Sequence, residues 1–186
     1  MSIRYNSVRY NRTKKGKEMS REYKTVRIAH ETKYMLNELI YLKEEQLKSE
    51  KSSLIDKYES ILKEYEDFSQ GYSPTLSIMV SSGSILEAAY YFVKEKDDRQ
   101  EIEWSQVLGE IASQKVDYSQ EVGTITPRFY LFSDVLQGLE DYRYKLKPDS
   151  MQRVINLNYV IKIFIYLYYT ANIKEIELVK SKRINK

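Results

Sequence analysis

Cysteine is absent from this 186-residue chain, and histidine occurs once, at His30. The first absence removes disulfides, thiolate metal sites and cysteine nucleophiles, and it fits a reducing, cytoplasmic setting. The second argues against a histidine-rich metal centre and against most serine–histidine–acid catalysis. His30 itself reads as a surface or capping residue. Glycine is scarce: the six present are scattered and form neither GxGxxG nor a GxxxxGK phosphate loop. Acidic pairs such as Glu44–Glu45 and Asp97–Asp98 have no metal-ligand or acid–base spacing. No catalytic residue, metal or cofactor is therefore expected, and the chain does not read as an enzyme.

Long hydrophobic runs are also few. The opening MSIRYNSVRYNRTKKGKEMS has no apolar core of about 7–15 residues, so it does not read as a secretory signal. Residues 154–173, VINLNYVIKIFIYLYYTANI, are about long enough to cross a bilayer. They include Asn156, Asn158, Lys162 and Asn172, each costly in hydrocarbon. A buried core helix is the expected reading, and no membrane partner is expected.

What is present is a Tyr-, Lys- and Glu-rich chain, 42% hydrophobic and 31% charged, which fits a globular protein with a real core. The net charge of +3 is unevenly spread. Residues 1–27 hold nine basic residues against Glu18 and Glu22, a net of +7, which leaves −4 for the remainder. A basic arm on a weakly acidic body fits a polyanion partner. The arm, residues 1–21, includes Arg4, Arg9, Arg12, Lys14, Lys15 and Lys17, interleaved with Tyr5, Tyr10, Asn6 and Asn11.

Along the chain, Lys24, Val26 and Ile28 alternate with Tyr23, Thr25 and Arg27, which predicts a short half-buried strand. Residues 31–42 then switch to helical spacing through Leu36, Leu39 and Ile40. Helical character continues to Gly71, with Leu54, Tyr58, Ile61, Tyr65 and Phe68 on a heptad-like seam. Ser49–Ser53 is the expected break, with Ser53 and Asp56 as a capping pair, so 43–69 is either one long helix or a hairpin. Ser73–Pro74 predicts the start of another helix, with Leu76, Val80, Gly83, Leu86, Ala89, Tyr90 and Val93 on one stripe. Residues 101–116 suggest a linking helix. The order then repeats. GTITPRFYLF (123–132) alternates like a strand, with Phe129 and Leu131 inward and Thr126, Arg128 and Tyr130 outward. Ser133–Asp134 can cap a helix with Leu136 and Leu139 inward. A last helix is expected from about Asp149 to Ala171.

The segment KTVRIAHETKYMLNELI (24–40) closely resembles the opening of ribbon-helix-helix DNA-binding proteins. The matching residues are Thr25, Val26, Arg27, Ile28, Glu31, Thr32, Leu36 and Leu39. SILEAAYYFV (84–93) is similar to that family's second helix, whereas 125–171 matches it in element order alone. Members pair two strands into an antiparallel ribbon that enters the DNA major groove, where base edges carry a full donor and acceptor code. The resemblance implies a tandem, single-chain member, as in plasmid and DNA-transfer accessory proteins.

The expected fold class is therefore mainly α. Two ribbon-helix-helix units in one chain would share a two-stranded antiparallel ribbon, with a helical insertion in the first. The arm would be followed by a first unit (22–98, insertion 43–70), a linker helix (99–122), a second unit (123–173) and a C-terminal tail (174–186). Thr25, Arg27, Thr126, Arg128 and Tyr130 would read bases. Tyr23, Thr75, Ser150 and the arm's cations would meet phosphates. Two unlike strands would read an asymmetric site, and Pro127 would sit on the ribbon's unpaired side. The expected function is site-specific binding of double-stranded DNA, as a repressor or as an accessory factor of plasmid or mobile-element maintenance or transfer. The alternative is a non-enzymatic interaction protein that assembles with its own kind or other proteins through 43–70 and its aromatic helices. A membrane anchor at 154–173 is the third reading.

Overall fold

The computed structural model describes residues 20–64, 77–113, 123–148 and 152–184. The architecture is mainly helical with small antiparallel two-stranded sheets. In chain order the elements are β1 (Arg21–Thr25), β2 (Ile28–Ala29), α1 (His30–Lys63), α2 (Ser82–Asp98) and α3 (Trp104–Ser113). They continue with β3 (Thr124–Ile125), β4 (Arg128–Phe132), α4 (Ser133–Lys145), α5 (Leu157–Ala171) and α6 (Ile173–Ile184).

Strand β1 pairs with β4, and β2 with β3, both antiparallel. One register runs through both sheets, with Tyr23 opposite Tyr130, Thr25 opposite Arg128 and Ile28 opposite Ile125. Bonds from Ser133 N to Ser20 O, Val26 N to Pro127 O and His30 N to Gly123 O keep the same alignment. The expectation for Pro127 is corrected here. Because Val26 N bonds Pro127 O, these two residues form a hydrogen-bonded pair, so the proline nitrogen lies on the paired side. It has no proton to return, and the ladder loses a bond between the two sheets.

The inward side chains are those the alternation predicts: Val26, Ile28, Phe129 and Leu131 are all buried. Each removes enough apolar surface to contribute roughly 1.5–3 kcal/mol. They join a single core with Leu36, Leu39 and Leu42 of α1, Leu86, Ala89 and Val93 of α2, Val135 and Leu139 of α4, and Val160, Ile161, Ile163, Phe164 and Ile165 of α5. A two-stranded ribbon is marginal alone, and this helical backing stabilises it. Segment 154–173 thus supplies a core helix. Among the described residues no helix is long and apolar enough to cross a membrane.

Several boundaries differ from expectation. Helix α1 runs unbroken through the serine cluster. Ser49, Ser53 and Ser60 hydroxyls donate to the carbonyls of Gln46, Glu50 and Asp56, one turn back. This back-bonding satisfies them without ending the helix. Helix α2 starts at Ser82, where Ser81 and Ser84 form a reciprocal capping box, whereas the expected start at Ser73–Pro74 lies outside the described residues. Helix α5 starts at Leu157 after Asn156, whereas the expected start at Asp149 lies outside the described residues. No side chain caps α4, although Asp134 favours its first turn. Arg21 belongs to β1, not to the arm. The 174–186 segment contributes α6, which packs on α1 through Lys180 and Glu38, 3.0 Å apart, and Glu175 and Gln46, 2.8 Å apart. Of the linker, Trp104–Ser113 is helical. Tyr65 and Phe68 of the seam lie outside the described residues, as does Leu76 of the α2 stripe.

Candidate nucleic-acid interface

Successive residues of a strand point to opposite faces, so burying Val26, Ile28, Phe129 and Leu131 turns their neighbours outward. Tyr23, Thr25, Arg27, Thr126, Arg128 and Tyr130 are all exposed on that outer side. Two stretches about one hundred residues apart are thereby brought together. The ladder alternation makes 23/130, 25/128 and 27/126 non-hydrogen-bonded pairs, whose side chains lie closest across the ribbon.

The outer face is organised by stacking. The Tyr23 and Tyr130 rings lie 4.5 Å apart between centroids. The Arg128 guanidinium sits 3.8 Å above the Tyr23 ring, and that of Arg21 sits 3.8 Å above Phe132 and 5.6 Å from Tyr130. Such cation–π contacts contribute about 0.5–1 kcal/mol at exposed sites. Arg27 is held differently: its Nε donates to Thr124 Oγ1 at 2.5 Å.

The three arginines differ electrostatically. Arg21 pairs with buried Glu87 of α2 at 3.0 Å, while the other carboxylate oxygen of Glu87 accepts from Phe132 N at 2.9 Å. One carboxylate therefore neutralises Arg21 and covers the outer edge of β4. Arg27 and Arg128 make no ion pair among the described residues, so their charge faces solvent. On the opposite side of the ribbon Lys24 pairs with Glu140 at 3.5 Å.

Helix α2 is set against β4 by Gly83, whose absent side chain leaves room for the strand: a Cβ there would lie 2.5 Å from Tyr130 O. Helix α5 packs near β2 on the other half. Of the expected phosphate contacts, Tyr23 lies on the outer face, 58% exposed. Thr75, Ser150 and Arg4, Arg9, Arg12, Lys14, Lys15 and Lys17 lie outside the described residues. The helix starts observed in their place are Ser81 and Asn156. His30 is half-buried at the strand–helix junction beside Gly123, whose φ of 122° suits glycine. Among the described residues no cluster of His, Cys, Asp and Glu could hold a metal.

Arg21, Thr124 and Glu87 were not legible as site residues. Signals existed: Arg21 extends the odd-numbered alternation of Tyr23, Thr25 and Arg27, and Glu87 is a lone carboxylate in an apolar stripe. A buried carboxylate needs a partner, which here is the ribbon. Comparison with family models, curated proteins and solved structures finds no match.

Proposed function

We propose that the chain is a site-specific double-stranded DNA-binding protein built from two ribbon-helix-helix-like units. The observation that carries this is the outer face of the ribbon. It is exposed, holds two arginines with no carboxylate partner among the described residues, and is backed by a buried apolar face. A two-stranded ribbon fits the major groove, and Arg can donate bidentately to guanine O6 and N7.

The internal symmetry supports the same reading. Helix α4 starts 103 residues after α1, at Ser133 and His30. Thr25 and its ribbon partner Arg128 are separated by the same 103 residues. A local twofold relating β2–α1–α2 to β4–α4–α5 would therefore pass through the 25/128 pair. Helices α2 and α5 pack on each other, as the two second helices of such units would. The role that follows is that of a repressor or an accessory factor in plasmid or mobile-element maintenance or transfer, acting in the cytoplasm.

The test is equilibrium binding of duplex DNA across a salt series with competitor DNA. Affinity should fall steeply with salt, and a preferred duplex should survive competition. Arg27→Ala and Arg128→Ala should each relax base preference by about 1–3 kcal/mol while leaving the protein folded, at a stability cost of no more than about 1 kcal/mol. Unchanged binding by both variants would remove the ribbon mechanism.

A second reading rests on the outer half of α1. Tyr58 and Ile61 are 47% and 43% exposed, next to half-buried Leu54 and Leu62. That stripe suits a protein partner or a second copy. Self-association lost in Tyr58→Lys/Ile61→Lys, with no DNA binding at low salt, would favour it.

A further inference from the structure

The outward pairs follow one another along the ribbon as Arg27/Thr126, Thr25/Arg128 and Tyr23/Tyr130. About the 25/128 pair, a true twofold would place like residues at positions 103 apart. Instead Arg27 corresponds to Tyr130, and Tyr23 to Thr126. One end of the face thus holds Arg27 with a threonine and no aromatic ring, and the other holds the tyrosine pair, with the Arg128 guanidinium over Tyr23 and Arg21 neutralised by Glu87.

The side-chain contacts sharpen this polarity. Arg27 spends its Nε on Thr124, which lies beyond it at the far end of the ribbon. Its two terminal nitrogens remain for a guanine edge. Arg128 leans the other way, over the Tyr23 ring. The two guanidiniums therefore diverge from the centre. Successive outward pairs stand about 7 Å apart along a strand, or about two base-pair steps. At the aromatic end, rings 43% and 58% exposed present apolar surface, which matches the thymine methyl group.

Resting on the DNA reading above, we infer that the target site is directional. It carries a guanine at the end met by Arg27, a second guanine on the tyrosine side of the centre met by Arg128, and beyond it A·T pairs with thymine methyls against Tyr23 and Tyr130. The asymmetry is written into one chain, so the site contains no inverted repeat.

Selection of duplexes from a random pool by the full chain tests this. The expected motif is non-palindromic, with G·C at one end and A·T at the other. Arg27→Ala, at an exposed position, should erase the guanine preference at one end only, a loss of roughly 5- to 150-fold. Replacing thymine by uracil in the selected duplex removes the methyl group and needs no protein variant. It should weaken binding about fourfold at the A·T end and leave the other end unaffected. A palindromic motif, loss of preference at both ends in Arg27→Ala, or indifference to uracil at the A·T end would overturn the inference while leaving DNA binding intact. Failure to enrich any sequence would overturn the DNA reading itself, and this inference with it.

Discussion

Replacing Gly83 by alanine probes how α2 is seated on the ribbon. Gly83 occupies the second position of the helix, where alanine is intrinsically better by up to about 1 kcal/mol. The added Cβ would stand 2.5 Å from Tyr130 O, 3.1 Å from its N and 3.3 Å from its C. These are strand backbone atoms and cannot rotate aside, and comfortable contact needs roughly 3.5 Å or more. The helix must lift by about 1 Å to relieve the closest contact. The same helix carries Glu87, bonded to Phe132 N at 2.9 Å and to Arg21 at 3.0 Å, so the shift stretches both bonds beyond range. Overpacking of about 1–3 kcal/mol, with the weakened bonds, exceeds the gain in propensity. The net loss should be about 1–2 kcal/mol, or a fall of roughly 2–8 °C in melting temperature. Gly109 of α3 supplies the control, because a Cβ there meets nothing within 4 Å. Gly109→Ala should gain up to about 1 kcal/mol from the same propensity. Urea and thermal denaturation of both variants measure the two signs. A Gly83→Ala protein as stable as wild type, beside a stabilised Gly109→Ala, would refute the close seating.

Three further outcomes follow from buried polar groups. Glu87→Gln keeps an acceptor for Phe132 N and should cost less than Glu87→Leu, which orphans both the amide and Arg21; the gap, about 1–3 kcal/mol, is read by chemical denaturation. Burial raises the Asp97 carboxyl, but hydrogen bonds from Lys145, Tyr142 and Trp104 outweigh it and hold the group below its ordinary value. Its contribution is therefore complete above the ordinary aspartate pKa and disappears as pH falls through the depressed one, so Asp97→Asn should flatten the stability profile on the acid side of the ordinary aspartate range. Thr32 Oγ1 is buried without a partner among the described residues, so Thr32→Val should be neutral or stabilising by about 1 kcal/mol in a thermal melt.

The alternation of Val26 with Ile28, and of Phe129 with Leu131, was enough to predict two half-buried strands and their inward faces. The period of Leu36 and Leu39, or of Leu86, Ala89 and Val93, was enough to place helical stripes in the core. These are local patterns, because a side chain's direction follows from its own stretch of backbone. Helix ends were less legible. Ser73–Pro74 and Ser81–Ser84 both carry capping chemistry, and the start of α2 lies at the second. The serines at 49–53 look like a break until their hydroxyls find carbonyls one turn back.

Local sequence thus determined which residues of this protein turn inward and which turn outward, since that depends only on strand and helix periodicity. Tertiary structure decided the rest: the register that sets Thr25 against Arg128, the paired side on which Pro127 falls, and the carboxylate of Glu87 that silences Arg21 but not Arg27. Each of these is a relation between segments distant in the chain, and is set by the common core they bury together.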